Sequence, residues 1–286
     1  MALTFRRLAP GEEATTEAFL AERPETTLFL RSNLQRAGLV DDGRPFSGTW
    51  VGAFEGARLV GAACHFWNDN LLFAPGAHAE AAAAHAIELS RRPVGGLLGA
   101  HDELVRTRAT LGLRDAPTHT SSKEILYTLA LSDLVVPGAI TDGSVIVRAP
   151  RDAEMDALLE WRMQYTRETV ATPDTPKLRA SEAAHLASKQ ENGHHFVVTL
   201  AGERVAYSAF NATVADLVQL GGVWTPPALR GHGYARCAVA GSLQHARDRG
   251  VQRAILFTGE ANVAAQRAYV AIGFRPIGDY GIVLFA

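Results

Sequence analysis

Hydrophobic positions along the chain switch repeatedly between two periods, and each switch marks an element. In the second half, Val145, Ile146 and Val147 form a β-branched run. Beyond Asp152, the residues Met155, Leu158, Leu159 and Met163 recur at helical spacing, which predicts a strand and then a helix with Asp152 as its cap. Pro173, Pro176 and Gly193 punctuate the next stretch around a second helix near 181–190. Residues 195–200 and 205–210 read as two strands joined through Ala201-Gly202-Glu203-Arg204, and a third strand at about 216–224 completes a meander. Gly231 and Gly233 then open a helix to about 249, followed by a buried-looking strand at 254–258; strand, glycine turn, helix and strand make a βαβ unit. A helix at about 262–272 and an extended run near 282–285 end the chain.

The first half repeats this rhythm. It predicts a strand near 3–8, helices near 12–20 and 27–37, and strands near 50–54, 59–66 and 71–73. An Ala-rich helix at about 77–91, a strand at 94–98 and a helix ending in Leu111-Gly112-Leu113 follow, and that ending echoes Ile272-Gly273-Phe274. The simplest account is an internal duplication of one α/β unit, and 286 residues suffice for two cores. The expected organisation is a domain over 1–137, a linker at 138–144 and a second domain over 145–286.

Composition narrows the partners. A formal net charge of −2 and a pI of about 6.6 supply no global positive field for a nucleic-acid backbone. Cys64 and Cys237 stand alone, too few for a disulfide framework, and fit a reducing cytoplasm. The N-terminus runs directly into charged sequence, so neither secretion nor membrane insertion is expected. The tandem His194-His195 lacks ligand-spaced partners, and no metal is expected.

One stretch carries chemistry: Val223-Trp224-Thr225-Pro226-Pro227-Ala228-Leu229-Arg230-Gly231-His232-Gly233-Tyr234-Ala235. Two glycines allow close backbone approach, a helix N-terminus presents unpaired N–H groups with partial positive charge, and Arg230 adds a full charge, an arrangement suited to a diphosphate. The plainer reading is a glycine-containing turn with a surface arginine. It is neither a P-loop, which needs Lys-Ser/Thr after its last glycine, nor a dinucleotide fingerprint, which needs a third glycine.

Arg230-x-x-Gly233-x-Ala235 after a strand ending at 223–226 resembles the acetyl-CoA loop of the GNAT superfamily. Asn262-x-x-Ala265-x-x-x-Tyr269-x-x-x-Gly273-Phe274 is similar to that family's following helix. The resemblance implies, in each half, a mixed α/β fold: a mostly antiparallel central sheet flanked by helices, with one βαβ unit. It implies that the backbone around Arg230, Gly231, His232, Gly233, Tyr234 and Ala235 holds acetyl-CoA, with Val223, Trp224, Asn262 and Ala265 lining the same site. Tyr269 would protonate the departing thiolate. Asn262 either bonds the pantetheine amides or caps its helix. Gly221 and Gly222 either form a bulge that points an N–H at the thioester carbonyl or mark a twist.

The acceptor implied is an amine, which must lose a proton before attack. Glu168 is the first candidate base, because Trp161, Tyr165 and Glu168 at i, i+4 and i+7 share a helical face that would bind the acceptor; two aromatics so spaced also suit a core. Asp216 and His195 are the other candidates. The first half departs from the pattern: Phe73-Ala74-Pro75-Gly76-Ala77-His78 has no arginine and no glycine pair. Counting back from Gly112 as from Gly273 puts Arg108 where Tyr269 stands and His101 where Asn262 stands. The expected function is N-acetyl transfer from acetyl-CoA to an amine by the second half, beside a degenerate first half. The other reading is a non-catalytic acyl-CoA-binding protein. An exposed β edge leaves monomer and homodimer both open.

Overall fold

The computed structural model describes residues 3–169 and 173–286. The first half forms β1 (Leu3–Arg7), α1 (Glu13–Ala21), α2 (Pro24–Ala37), β2 (Gly48–Glu55), β3 (Arg58–Phe66), β4 (Asn70–Phe73), α3 (Ala79–Ser90), β5 (Gly96–Ala100), α4 (His101–Thr110) and β6 (Thr118–Ala130). After α5 (Gly138–Thr141), a single turn in the stretch expected as linker, come β7 (Val145–Arg148), α6 (Met155–Thr169), α7 (Pro176–Asn192), β8 (His195–Leu200), β9 (Glu203–Thr213) and β10 (Leu217–Trp224). The chain closes with α8 (Tyr234–Asp248), β11 (Arg253–Gly259), α9 (Val263–Val270) and β12 (Arg275–Phe285).

Two compact units result, and neither is a simple half of the chain. Unit 1 comprises residues 1–126, 257–261 and 276–286; unit 2 comprises 127–256 and 262–275. The terminal strand β12, expected to close the second half, pairs antiparallel with β5 in unit 1, with Tyr280 opposite Ala100 and Leu284 opposite Gly96. The end of β6 falls in unit 2, beside β11. The strand β6 has no counterpart in the expected elements, because its first half, Thr118 to Lys123, is polar and carries no apolar alternation.

In unit 1 the sheet order is β1-β2-β3-β4-β5-β12, antiparallel except for β4 and β5, which are parallel and joined through α3. Alternation along β2 sends Trp50 into the cluster under α1 and α2, with Leu20, Leu30 and Leu34, and Val51 into the opposite cluster under α3 and α4, with Phe73, Ala82, Ala83 and Leu104. The alanine face of α3 lets that helix lie close on the sheet.

Unit 2 repeats the plan. Strands β7-β8-β9-β10-β11 run in that order, antiparallel except for the parallel pair β10 and β11 joined through α8. Val198 and Ala206 face α8, while their neighbours Val197 and Tyr207 face α6 and α7. A side chain at Gly241 of α8 would stand 2.5 Å from Val147, so glycine permits the close approach of α8 to β7. Thr175 caps α7 through its hydroxyl, with Pro176 at the first turn, so this helix begins five residues before its expected start. Cys64 and Cys237 are free and buried. Among the described residues no helix is long and apolar enough to cross a membrane.

Candidate functional site

The parallel pairing of β10 with β11 runs over Leu217–Gln219 against 253–255. Beyond it, β10 leaves regular register with β9: Gly221 faces Ala209 but Trp224 faces Tyr207, so one extra residue stands on β10. That is a bulge, and Gly222 within it has φ +63°, a left-handed conformation that favours glycine. The guanidinium of Arg162 lies next to it, with Nη1 3.3 Å from where a Cβ on Gly222 would stand. Arg162 is held from below by Glu182, through an Nε–Oε2 contact of 2.6 Å, and lies over the Tyr165 ring at 4.8 Å.

After the bulge the chain makes a short turn at Pro227–Leu229 and reaches Arg230, Gly231, His232 and Gly233. Gly231 and Gly233 both take left-handed φ, +83° and +82°, and a Cβ on Gly231 would meet nothing within 4 Å. Gly233 is the N-cap of the 15-residue α8. The first bond of that helix runs from Cys237 N–H to Gly233 O, so the amides of Tyr234, Ala235 and Arg236 precede the helical ladder and point out of its positive end. His232 stacks on Tyr234 at 5.6 Å, and its ring nitrogen Nδ1 lies 3.3 Å from Leu229 O. A second cation joins the loop: Arg236 Nη2 is 2.9 Å from the Cβ position of Gly233. Sequence reading passed over Arg236, although a second arginine in the first turn after a glycine pair was the signal available.

Arg230 is held in place by three contacts. Its Nη1 and Nη2 reach Glu168 Oε1 and Oε2 at 2.8 and 2.9 Å, its Nε donates to Thr225 O at 3.0 Å, and its guanidinium lies 4.9 Å over the Trp224 ring. The candidate base and the candidate diphosphate ligand are therefore one bidentate ion pair. Trp224 is buried in the cluster of Leu158, Leu186, Val197 and Tyr207. Tyr165 meets it edge-on at 6.1 Å, and Trp161 packs on the same cluster. The aromatic face of α6 thus serves the core of unit 2 and borders the bulge.

Asn262 accepts a hydrogen bond from Ala265 N–H at 3.2 Å and caps α9, leaving its amide nitrogen uncommitted by the cap. Two turns on, Tyr269 is buried between Tyr127 and Phe274 at 6.5 and 6.1 Å. Burial, and after it the proximity of Tyr165, pushes the Tyr269 phenol well above its ordinary pKa, so it carries its proton throughout the neutral range. Unit 2 therefore brings Tyr269, Tyr165, Trp224, Arg230 and Glu168 into one neighbourhood, with Val223 on the strand between bulge and loop.

The other two candidate bases lie elsewhere. His195 is fully buried, bonded at its two ring nitrogens to the Tyr207 hydroxyl (3.2 Å) and the Gln190 side chain (2.7 Å), and burial pushes its imidazole down to about 4. Asp216 precedes β10 at the end opposite the bulge, where its carbonyl accepts from the Gln252 and Arg253 amides.

The sequence model of the acetyltransferase (GNAT) family matches residues 155–274. The mycothiol acetyltransferase of Nocardia farcinica is 28% identical over 179 residues, a stretch that covers 59% of this chain and only 56% of that protein. Among solved structures, a Drosophila protein superposes with a TM-score of 0.70 at 12% identity, covering 98% of each chain. A tandem GNAT protein from the clavulanic acid biosynthesis pathway gives a TM-score of 0.57 at 16% identity, over all of this chain and 98% of its own. At such identities the two structures speak for the fold alone.

Proposed function

We propose that this chain, which belongs to the GNAT superfamily through the acetyltransferase domain at residues 155–274, moves the acetyl group of acetyl-CoA directly to an amine. The observation that carries this reading is the loop at the start of α8: left-handed Gly231 and Gly233, free amides at a helix N-terminus and two arginines in reach. These residues fit a diphosphate, since the open side of Gly231 admits phosphate oxygens and the amides and guanidinium groups donate to them. When bound, acetyl-CoA supplies an activated thioester.

The chain's own groups divide the remaining work. The bulge at Gly221 and Gly222 turns a backbone N–H out of the ladder, where it stabilises charge developing on a carbonyl oxygen. Tyr269, protonated at neutral pH, donates its proton to the leaving sulfur. Glu168 accepts the proton of the acceptor ammonium, with Trp161 and Tyr165 on the acceptor side of α6. Arg230 has two anions to choose between, the carboxylate that holds it now and a diphosphate; pairing with the second releases Glu168 as a base. The acceptor is an amine, and the shared stretch with the mycothiol acetyltransferase, about half of that protein, does not extend its acceptor to this chain.

Calorimetric titration with acetyl-CoA, followed by an amine screen, tests the proposal. Saturable binding is expected, weakened at least about tenfold by Arg230→Glu, which turns an attractive charge into a repulsive one. A folded protein that binds neither acetyl-CoA nor longer acyl-CoAs ends the reading.

A further inference from the structure

We propose that unit 1 carries a second, independent binding site, a basic pocket along α4 that takes a small phosphate monoester. The pocket has a volume of about 330 Å³, at the lower end of small-molecule sites. One face of α4 supplies His101, Leu104 and Arg108, at i, i+3 and i+7; β6 supplies Ser122 and Lys123 opposite; Arg114 stands at its rim.

Charge decides what would bind there. Many arginines elsewhere in unit 1 are matched by a carboxylate: Arg6 with Glu12, Arg31 with Glu17, Arg58 with Glu55, Arg106 with Glu80. The pocket breaks this habit, for its lining among the described residues holds three full cations and no carboxylate. Lys123 is offset from outside by Asp279 at 2.9 Å and Glu260 at 3.7 Å, which leaves Arg108 and Arg114 as the cations without a carboxylate among the described residues. Arg108 is oriented without being neutralised, since its Nε and Nη2 donate to the backbone carbonyls of Leu113 and Ala116 at 2.9 and 3.2 Å, which carry no formal charge. A guanidinium fixed in this way is pre-organised for an anion. Nδ1 of His101 is buried with no hydrogen-bond partner among the described residues, a second polar group that the protein itself leaves unmatched.

The geometry favours phosphate over carboxylate. Donors arrive from the helix face, from the β6 hydroxyls and from the rim, three directions that suit a tetrahedral group with three outer oxygens better than a planar one with two. Leu104 and Val283 give an apolar wall for the carbon skeleton of an ester. The site does not depend on acetyl transfer: His101 and Arg108 occupy the helix positions at which α9 has Asn262 and Tyr269, so the same face of a repeated helix has taken a different chemistry.

The test is calorimetry on the full chain with inorganic phosphate and with glycerol 3-phosphate, and with succinate as the carboxylate comparison. Saturable binding of both phosphates is expected, kept in Arg230→Glu, which disables the unit 2 loop, and weakened at least about tenfold in Arg114→Glu, an exposed substitution. Ser122→Asp, which places a carboxylate in the pocket, should act likewise. The proposal is overturned if neither phosphate saturates the protein up to about 10 mM. It is equally overturned if binding disappears with Arg230→Glu and survives Arg114→Glu, or if succinate binds as tightly as the phosphates.

Discussion

In unit 2 the strand before the long helix ends in a bulge at Gly222 and a turn ringed by Arg230 and Arg236. In unit 1 the same strand, β4, stops after four residues at Phe73, fully buried, with its ring 3.0 Å from where a Cβ on Gly99 of β5 would stand. The strand order, the parallel pair and the crossover helix are common to both. The difference therefore sits in a few positions: an aromatic plug against a bulge, Ala74-Pro75-Gly76-Ala77-His78 against a two-arginine loop, and Arg108 against Tyr269. Burial of two faces keeps the scaffold, and the chemistry depends on what fills the ends of two strands.

The largest expected effect comes from removing the plug. Phe73→Ala should cost about 3–5 kcal/mol of stability, read by denaturant unfolding, because a fully buried aromatic leaves a cavity that its neighbours refill only in part. Acetyl-CoA stoichiometry should stay at one per chain, since the loop at 74–78 contributes no arginine and only one left-handed glycine, Gly76. A second saturable acetyl-CoA site in this variant would show that the plug alone separates the units.

Next in size is the loss of the hydroxyl proposed as the acid. Tyr269→Phe keeps the ring between Tyr127 and Phe274 and deletes only the hydroxyl, so acetyl-CoA affinity should hold while turnover falls about a hundredfold, the scale of a lost general acid. Steady-state kinetics with the best acceptor measures this. Unchanged turnover would take the acid role from Tyr269 and leave its contrast with Arg108 without catalytic meaning.

Much of this contrast was legible in the sequence, and its gaps have physical causes. Periodicity located the meander, the βαβ unit and the glycine loop, because each depends on local alternation or on residues a few positions apart. The fates of β6 and β12 were not readable. The first half of β6 is polar, and the choice of β5 as partner for β12 is a pairing between residues some 180 positions apart with no local signature. At the site, the spacing of Trp161, Tyr165 and Glu168 showed that they share a face but not what the face meets. The structure gives the aromatics to the cluster around Trp224 and the carboxylate to Arg230, 62 residues further on. A bulge was one of two readings open for Gly221 and Gly222, the other a twist, and the register shift decides for the bulge; the Arg162 guanidinium beside it was not foreseeable, for it arrives from another helix.

The smallest effect is the most specific to unit 2. Glu168 and Arg230 are about half exposed, 47% and 43% of their side chains, so their pair contributes about 0.2–1 kcal/mol at most and weakens with salt. If the carboxylate competes with a diphosphate for Arg230, Glu168→Gln should tighten acetyl-CoA binding by up to about fivefold, the upper end of that range. If the same carboxylate takes the acceptor's proton, turnover should fall at the same time, most strongly at low pH, where the amine is more fully protonated and depends most on a base. Two opposite changes from one substitution are hard to obtain from a surface bridge that only steadies the loop, because loss of such a bridge would loosen the loop and weaken acetyl-CoA binding. Calorimetry and a pH–rate profile on the same variant separate the cases: tighter binding with slower turnover assigns both roles to Glu168, and weaker binding with unchanged turnover reduces it to a strut. Unit 1 has no equivalent to test, since the turn that precedes α3 offers no arginine for a carboxylate to hold.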